Sequence, residues 1–449
     1  MYVDDFDETL VCEDADEATI QEVFLPEYTV PEALELKITK LICAEKGITN
    51  TNEKSVARLF GCIAQEEKDN LIDDINNLFP IADGGQDNKP INYHKNALAY
   101  LTYYLVPNVF KIWKPLLDLL KNGCLKREAR CLDIGCGPGS ATIGVIEFYK
   151  ALADNFKNIN FQLTVSLIDS NEELLQYAKA LLKSYCYDKP KNLVISFSSF
   201  SKKVDRSISF VEYGTFDLIY ASNFFAIGEG KRKPESLEIM LNILKALSKD
   251  GAFIIVEPGD ERNSKQLMLL RNEICNQNMA NEFAPCCNIW NKSSNINCSC
   301  FGGMRCYINE PLIYKELRKC SLRKYRRRSV PFCYKIFRTD GRTKFRYEPN
   351  QKPYVKLVDL GEHIGELINI VAMVAAVISN EQDKITLKLC DGSRNDSNVY
   401  CEIKRAVLDE MNFCSDIIGG EKLFLNHVEV ASAKNLFARA GETIGKISY

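Results

Sequence analysis

Residues 132–139 read Leu-Asp-Ile-Gly-Cys-Gly-Pro-Gly. An apolar run carrying Asp133 gives way to Gly135, Gly137 and Gly139, which alternate with small residues. A helix-like pattern follows from Ser140 to Leu152. Glycine is needed where backbone turns sharply or comes close to a ligand. The first turn of the helix beyond it offers unpaired N–H groups to polar ligand atoms. Together these features predict a cofactor cradle at the first strand–helix crossover of a parallel sheet.

The spacing separates one cofactor from another. A dinucleotide loop reads G-x-G-x-x-G, whereas here the glycines fall as G-x-G-x-G with Asp133 two residues ahead of the first. That arrangement resembles motif I of the class I S-adenosylmethionine (SAM) methyltransferases. The resemblance implies that the loop packs against the methionine part of SAM and that an acid after the second strand binds the ribose hydroxyls. Val165-Ser166-Leu167-Ile168-Asp169 supplies such an acid, followed by a helical pattern from Glu172 to Tyr185. Asp133, Gly135, Gly137, Gly139 and Asp169 are therefore the expected cofactor-binding residues.

Working outward, residues 128–260 alternate strand and helix patterns, as a doubly wound α/β sheet of Rossmann type requires. The apolar runs predict strands at 130–134, 162–168, 192–197, 216–221 and 252–257. Ligands of such sheets bind at the carboxyl ends of the strands, near the switch in strand order. Asn223, just past the fourth strand, is the candidate both for lining the cofactor and for holding an acceptor amine. Phe224 and Phe225 beside it are candidates for stacking a base. A cytosine-type nucleophilic cysteine after strand four or five has no counterpart here.

The flanking segments differ in character. Residues 1–30 are acidic with few aromatic anchors, which predicts a flexible tail. Residues 31–127 read as a helical region, with a break or kink expected at Pro107. The methyltransferase-like domain is expected over 128–350, with a cysteine-rich insertion at 275–310. From 360 to 449, β-rich segments separated by turns, with a partly helical insert before the fourth, resemble a small OB-type barrel, a module that grips oligonucleotides. Asp340-Gly341 is expected to close a hairpin onto Thr343–Tyr347.

Composition narrows the function classes. No apolar run approaches the ~20 residues of a membrane helix. No Lys or Arg precedes Lys37, unlike a secretory or import leader, so a cytoplasmic protein is expected. The net charge of −3 hides an asymmetry. Arg323, Lys324, Arg326, Arg327 and Arg328 are almost contiguous, with Tyr325 and Tyr334 interleaved, and basic residues continue to Arg346. A basic face of that extent points to the phosphates of RNA.

Eighteen cysteines is high for a chain without the marks of a secreted scaffold. Cys275, Cys286, Cys287, Cys298, Cys300 and Cys306 crowd one Asn- and Ser-rich stretch, while the three histidines lie elsewhere. Any metal site there is mostly thiolate, which suits an iron–sulfur cluster or structural zinc.

Glu257-Pro258-Gly259, a helix, Ala284-Pro285-Cys286, the C-x7-C pair Cys298/Cys306 and Cys390 before Asp391-Gly392 form a series. It resembles the mitoribosomal small-subunit methyltransferase-like family and its prokaryotic relatives. The resemblance implies a four-iron (4Fe-4S) cluster on Cys286, Cys298, Cys306 and Cys390. Cys287 and Cys300 are extra, and either can replace its neighbour as a ligand. Two function classes follow: a SAM-dependent methyltransferase acting on small-subunit rRNA, or a non-catalytic SAM- and cluster-binding ribosome assembly factor.

Overall fold

The computed structural model describes residues 9–10, 27–28, 30–48, 52–78, 96–225, 235–287, 289–290, 304–308, 310–320, 329–344, 354–394, 399–410, 417, 419, 421–438 and 444–446. The chain divides into two compact units. The first joins Met1–Leu267 with Gly303–Ile336, and the second joins Met268–Gly302 with Phe337–Tyr449.

The first unit is built on a twisted sheet. Its central strands are β1 (Glu128–Ile134), β2 (Phe161–Asp169), β3 (Leu193–Ser201), β4 (Phe216–Ser222) and β5 (Leu247–Pro258). The strands β6 (Met304–Ile308) and β7 (Ser329–Arg338) extend it. The order is β6-β7-β5-β4-β1-β2-β3, with Glu27–Tyr28 parallel on the outer edge of β6. Pairs β3–β2, β2–β1, β1–β4 and β4–β5 are parallel, and β6–β7 is antiparallel, so the sheet is mixed. Strand order reverses between β1 and β4. That reversal opens the crevice in which doubly wound proteins bind ligands.

Central strands read as continuous apolar runs because both faces are covered: Cys131, Leu132 and Ile134 of β1 and Phe253 to Val256 of β5 are buried. In chain order the helices of this unit begin with α1 (Glu32–Glu45), α2 (Val56–Gly61), α3 (Gln65–Asn77), α4 (Ala97–Val109) and α5 (Trp113–Leu120). Then come α6 (Ser140–Asn155), α7 (Glu172–Tyr187) and α8 (Ser236–Lys245).

The expected kink at Pro107 takes a specific form. Proline cannot donate to the carbonyl four residues back, and the Tyr103 carbonyl instead accepts from the Tyr314 hydroxyl. The helix runs on through Pro107 and breaks at Phe110–Ile112, a single 3-10 turn. Tyr314 belongs to the short helix Leu312–Lys319, whose N-terminus is capped from afar: Ile313 N donates to Glu35 Oε2 of α1 at 2.8 Å. Burial pushes the Glu35 carboxyl up, opposed by the backbone donors of Ile313 and Leu312.

The second unit contains a closed barrel. Its strands are β8 (Leu367–Asn380), β9 (Lys384–Cys390), β10 (Val399–Lys404), β11 (Lys422–Ser432) and β12 (Asn435–Ala438), with β13 (Ile444–Lys446) added along β11. The order is β8-β9-β10-β12-β11, closed by β8 against β11. All pairs are antiparallel except β10–β12. With the helix Arg405–Glu410 between the third and fourth strands, this is the connectivity of an OB-type barrel.

Alternation in β9 and β10 produces it. Ile385, Leu387, Leu389, Val399, Cys401 and Ile403 point into one core, while Lys384, Thr386, Lys388, Tyr400 and Glu402 point outward. The hairpin expected after Asp340-Gly341 does not form over the residues described, because Lys344 N donates to Phe283 O at 3.0 Å instead. Residues 345–347 lie outside the described residues.

Candidate functional site

The glycine loop sits at the end of β1, where three glycines adopt left-handed backbone: φ is 65° at Gly135, 52° at Gly137 and 85° at Gly139. Residues with a Cβ pay for that conformation, so glycine is required. The loop is tied to β2 by Gly135 N and Cys136 N, which donate to Ile168 O at 2.8 and 3.1 Å. Asp169 then reaches across. Its Oδ2 accepts from Gly137 N at 2.7 Å and its Oδ1 from Asn171 N at 2.8 Å. Asn171 in turn caps α7, accepting from Leu174 N at 3.2 Å. The acid and the loop named from sequence are thus brought together at the switch point.

A Cβ placed on Gly137 meets nothing nearer than the Tyr100 ring, 3.9 Å away, so that side of the loop is open. A Cβ on Gly135 falls 2.3 Å from the Phe224 ring, which forms a wall of the crevice. Phe225 is buried, lies edge-on to Phe224 at 4.9 Å, and donates its N–H to Glu257 Oε1 at 2.8 Å. Of the two aromatics, Phe225 belongs to the core and Phe224 to the site. Asn223 adopts a left-handed φ of 55° and donates its N–H to Val256 O at 2.8 Å, which ends β4 abruptly beside the loop. Asparagine tolerates that conformation better than other side chains.

Beneath the loop lies a buried polar chain that sequence reading missed. Thr142 Oγ1 donates to Asp133 Oδ2 at 2.7 Å, and Tyr220 of β4 donates to Thr142 Oγ1 at 2.9 Å. Asp133 Oδ1 has no hydrogen-bond partner among the described residues. Burial pushes the Asp133 carboxyl up to about 7, against the lowering effect of Thr142, and Asp169 adds to the rise. Burial also holds the Cys136 thiol well above its ordinary value, which removes it as a nucleophile. Thr142 follows the loop by three residues, but nothing in the sequence marks Tyr220 as its partner. An orphaned buried acceptor, an open glycine face and an acid at the second strand fit SAM.

Cys286, Cys287 and Cys390 fall in the second unit. Cys286 and Cys287 follow the short strand Asn281–Ala284, and Cys390 ends β9. Cys287 is 1% exposed in a cluster with Ile289 and Val371, against which Cys390 and Trp290 pack. Its thiol donates to Cys390 O at 3.1 Å. The hydrogen bond with Cys390, burial, and the charges of Cys390, Asp391 and Cys286 push it well up. Arg271, in a buried ion pair with Glu282 at 2.6 Å, lies in the electrostatic reach of Cys275 and Cys286.

Cys298, Cys300, Arg323, Lys324, Arg326, Arg327 and Arg328 lie outside the described residues, as does the side chain of Cys306. Among the described residues no group of three or more His, Cys, Asp or Glu side chains is arranged to hold a metal ion. Also among them, no helix is long and apolar enough to cross a membrane.

A family model described as "Methyltransferase domain" matches residues 125–312. Residues 125–312 are thus similar to a methyltransferase domain. Among solved structures, the domain is similar to a SAM-dependent methyltransferase from Aquifex aeolicus. The identity is 16%, the match covers 40% of this chain and 85% of that one, and the TM-score is 0.25. It is similar to one from Methanosarcina mazei at 16% identity, over 48% and 94% of the two chains, with a TM-score of 0.26. It is also similar to a 16S rRNA methyltransferase from T. thermophilus in complex with AdoMet and guanosine, at 15% identity over 40% and 36%, with a TM-score of 0.23. No curated protein sequence matches the chain.

Proposed function

We propose that the chain transfers a methyl group from SAM to RNA, with small-subunit rRNA as the substrate and an all-cysteine 4Fe-4S cluster as a resident cofactor. The observation that carries the reading is the Asp169 carboxylate closing on Gly137 N at the switch point. SAM supplies an electrophilic methyl at a sulfonium, and such a displacement is accelerated mainly by alignment. The methyltransferase domain does that work with its own groups. The backbone of Gly135–Gly139 cradles the methionine part, Asp169 accepts from the ribose hydroxyls, and Asn223 holds the acceptor amine with Phe224 against its ring.

RNA as the partner is supported by the barrel's connectivity and by the basic run Arg323–Arg328. OB-type barrels bind oligonucleotides on the face of their second and third strands. That face carries Lys384, Lys388, Tyr400 and Lys404 here. The cluster reading is supported by Cys286 and Cys390, which Cys287 joins although more than a hundred residues separate them in sequence. Cys298 and Cys306 complete the proposed set, and zinc is the alternative occupant.

One observation favours a second reading, a SAM- and cluster-binding assembly factor without turnover. Glu257, the carboxylate beside β4's end, is buried, and its Oε1 accepts from Phe225 N–H. Incubating the full chain with methyl-labelled SAM and immature small ribosomal subunits separates the two. Label in rRNA is expected; tight particle binding without label contradicts transfer and supports the factor.

A further inference from the structure

We infer that Tyr100 lets the site tell SAM, whose sulfonium is cationic, from its neutral demethylated product S-adenosylhomocysteine (SAH): the ring borders the glycine loop and attracts the positive charge. The inference rests on the SAM reading above and adds to it the residue that separates cofactor from product. The sulfur of SAM joins the ribose through one carbon. A ribose held by Asp169, which itself closes on Gly137 N at 2.7 Å, therefore sets the sulfonium alongside Gly137. Among the described residues, the group nearest to a Cβ built on Gly137 is Cε1 of the Tyr100 ring, at 3.9 Å. A cation within about 6 Å of an aromatic ring is attracted by its π system. SAM carries that charge and SAH does not, while the ribose, adenine and carboxylate contacts are common to both. The ring therefore acts on the ratio of the two affinities.

The fold holds this ring in place from two sides. Tyr100 stands near the start of α4, where its N–H donates to Asn96 O at 3.0 Å. From Ala99 to Val109, Tyr100 and Tyr104 alone are half-buried and the rest are buried. Four residues apart, the two share one helix face, and their rings stack at 4.9 Å. Tyr104 meets Tyr103 edge-on at 5.3 Å, and Tyr103 stacks on Tyr314 at 5.3 Å. Tyr100 is thus the end of a chain of four rings anchored on a second helix. The loop is fixed to the same frame. Helix α6 starts at Ser140, directly after Gly139, and α4 packs on it so closely that no Cβ fits on Gly144 beneath the Val109 carbonyl. A ring already in place costs little ordering when a ligand binds.

The test titrates SAM and SAH separately into the full wild-type chain, Tyr100→Phe and Tyr100→Leu, by calorimetry, with circular dichroism recorded for each. The wild type and Tyr100→Phe, which keeps the ring, are expected to bind SAM on the order of 10-fold tighter than SAH. Tyr100→Leu, apolar but without a ring, is expected to lose most of that preference, with SAM weakened far more than SAH. Equal weakening of both ligands makes Tyr100 a packing surface only and overturns the inference, as does an unchanged ratio. A preference lost in Tyr100→Phe assigns it to the hydroxyl and overturns the inference too. Ultraviolet crosslinking of methyl-labelled SAM to the wild-type chain, mapped by peptide, needs no variant. Label is expected on the peptide containing Tyr100, and label confined to other peptides contradicts the contact. A folded wild-type chain that binds neither ligand overturns the SAM reading itself, whereas binding of both with the ratio unmoved in Tyr100→Leu overturns only the role of the ring.

Discussion

Asp133 sits where a charged carboxylate is expensive. It is fully enclosed, and Thr142 satisfies only one of its oxygens. The consequence for pH follows from the direction of the shift. An unfolded Asp releases its proton near 3.8, while burial keeps this one protonated in the fold up to about 7. Between those values the folded chain binds the extra proton, so this group's contribution to stability falls as pH rises and levels off above 7. Melting curves across that window should show a steeper decline in the wild type than in Asp133→Asn; equal slopes refute the raised carboxyl. At the same scale, Asp169→Ala should weaken SAM binding at least ~10-fold, as read by calorimetry, because it removes both the proposed ribose acceptor and the tie to Gly137. Unchanged affinity refutes its role.

The loop and its acid were legible in the sequence because their chemistry demands fixed residue types at fixed spacing. Thr142, Tyr220 and the Phe224 wall were not, since only the pairing of β1 with β4 brings them together. The aromatic pair after β4 shows the limit of local reading. Nothing in Phe224-Phe225 tells which ring is core, and the answer comes from Glu257 on the neighbouring strand taking the Phe225 N–H.

Among the elements, the contact between α4 and α6 is the tightest test of packing. A Cβ on Gly144 would lie 2.0 Å from the Val109 carbonyl oxygen, and Trp113 Nε1 donates to the Gly144 carbonyl at 2.8 Å. Gly144→Ala should cost about 3 kcal/mol in urea unfolding, since neither backbone can yield without moving its helix. A cost below about 0.5 kcal/mol contradicts this packing. The parallel strands were legible as unbroken apolar runs. Their ends were not: β5 begins at Leu247, ahead of the apolar run at Ala252, because Leu247 pairs with Phe216 across a register shift. Pro107 predicted a break, but the freed Tyr103 carbonyl finds Tyr314 from a distant helix, so α4 continues to Val109.

Over the whole molecule, the proposed RNA contacts are drawn from the basic run Arg323–Arg328 and from the lysines of the barrel's second and third strands. Phosphate contacts make binding salt-dependent, by roughly 0.7 in log–log slope per contact on single strands. Replacing Arg326, Arg327 and Arg328 by Ala should therefore reduce the slope for single-stranded rRNA by about 2. An unchanged slope removes the basic run from the interface. The barrel was legible from alternation at Lys384–Cys390 and Val399–Lys404. Its closure depends on β8 meeting β11, which no local pattern announces.

Leu132–Gly139 and Asp169 form the proposed SAM site. Titration of SAM into the wild-type chain and into Gly137→Val, with circular dichroism confirming that both are folded, tests it most directly. One saturable site per chain in the wild type and none in the variant is predicted, because a side chain at 137 blocks the open face of the loop. No binding to the wild type, or equal binding to both, contradicts the account.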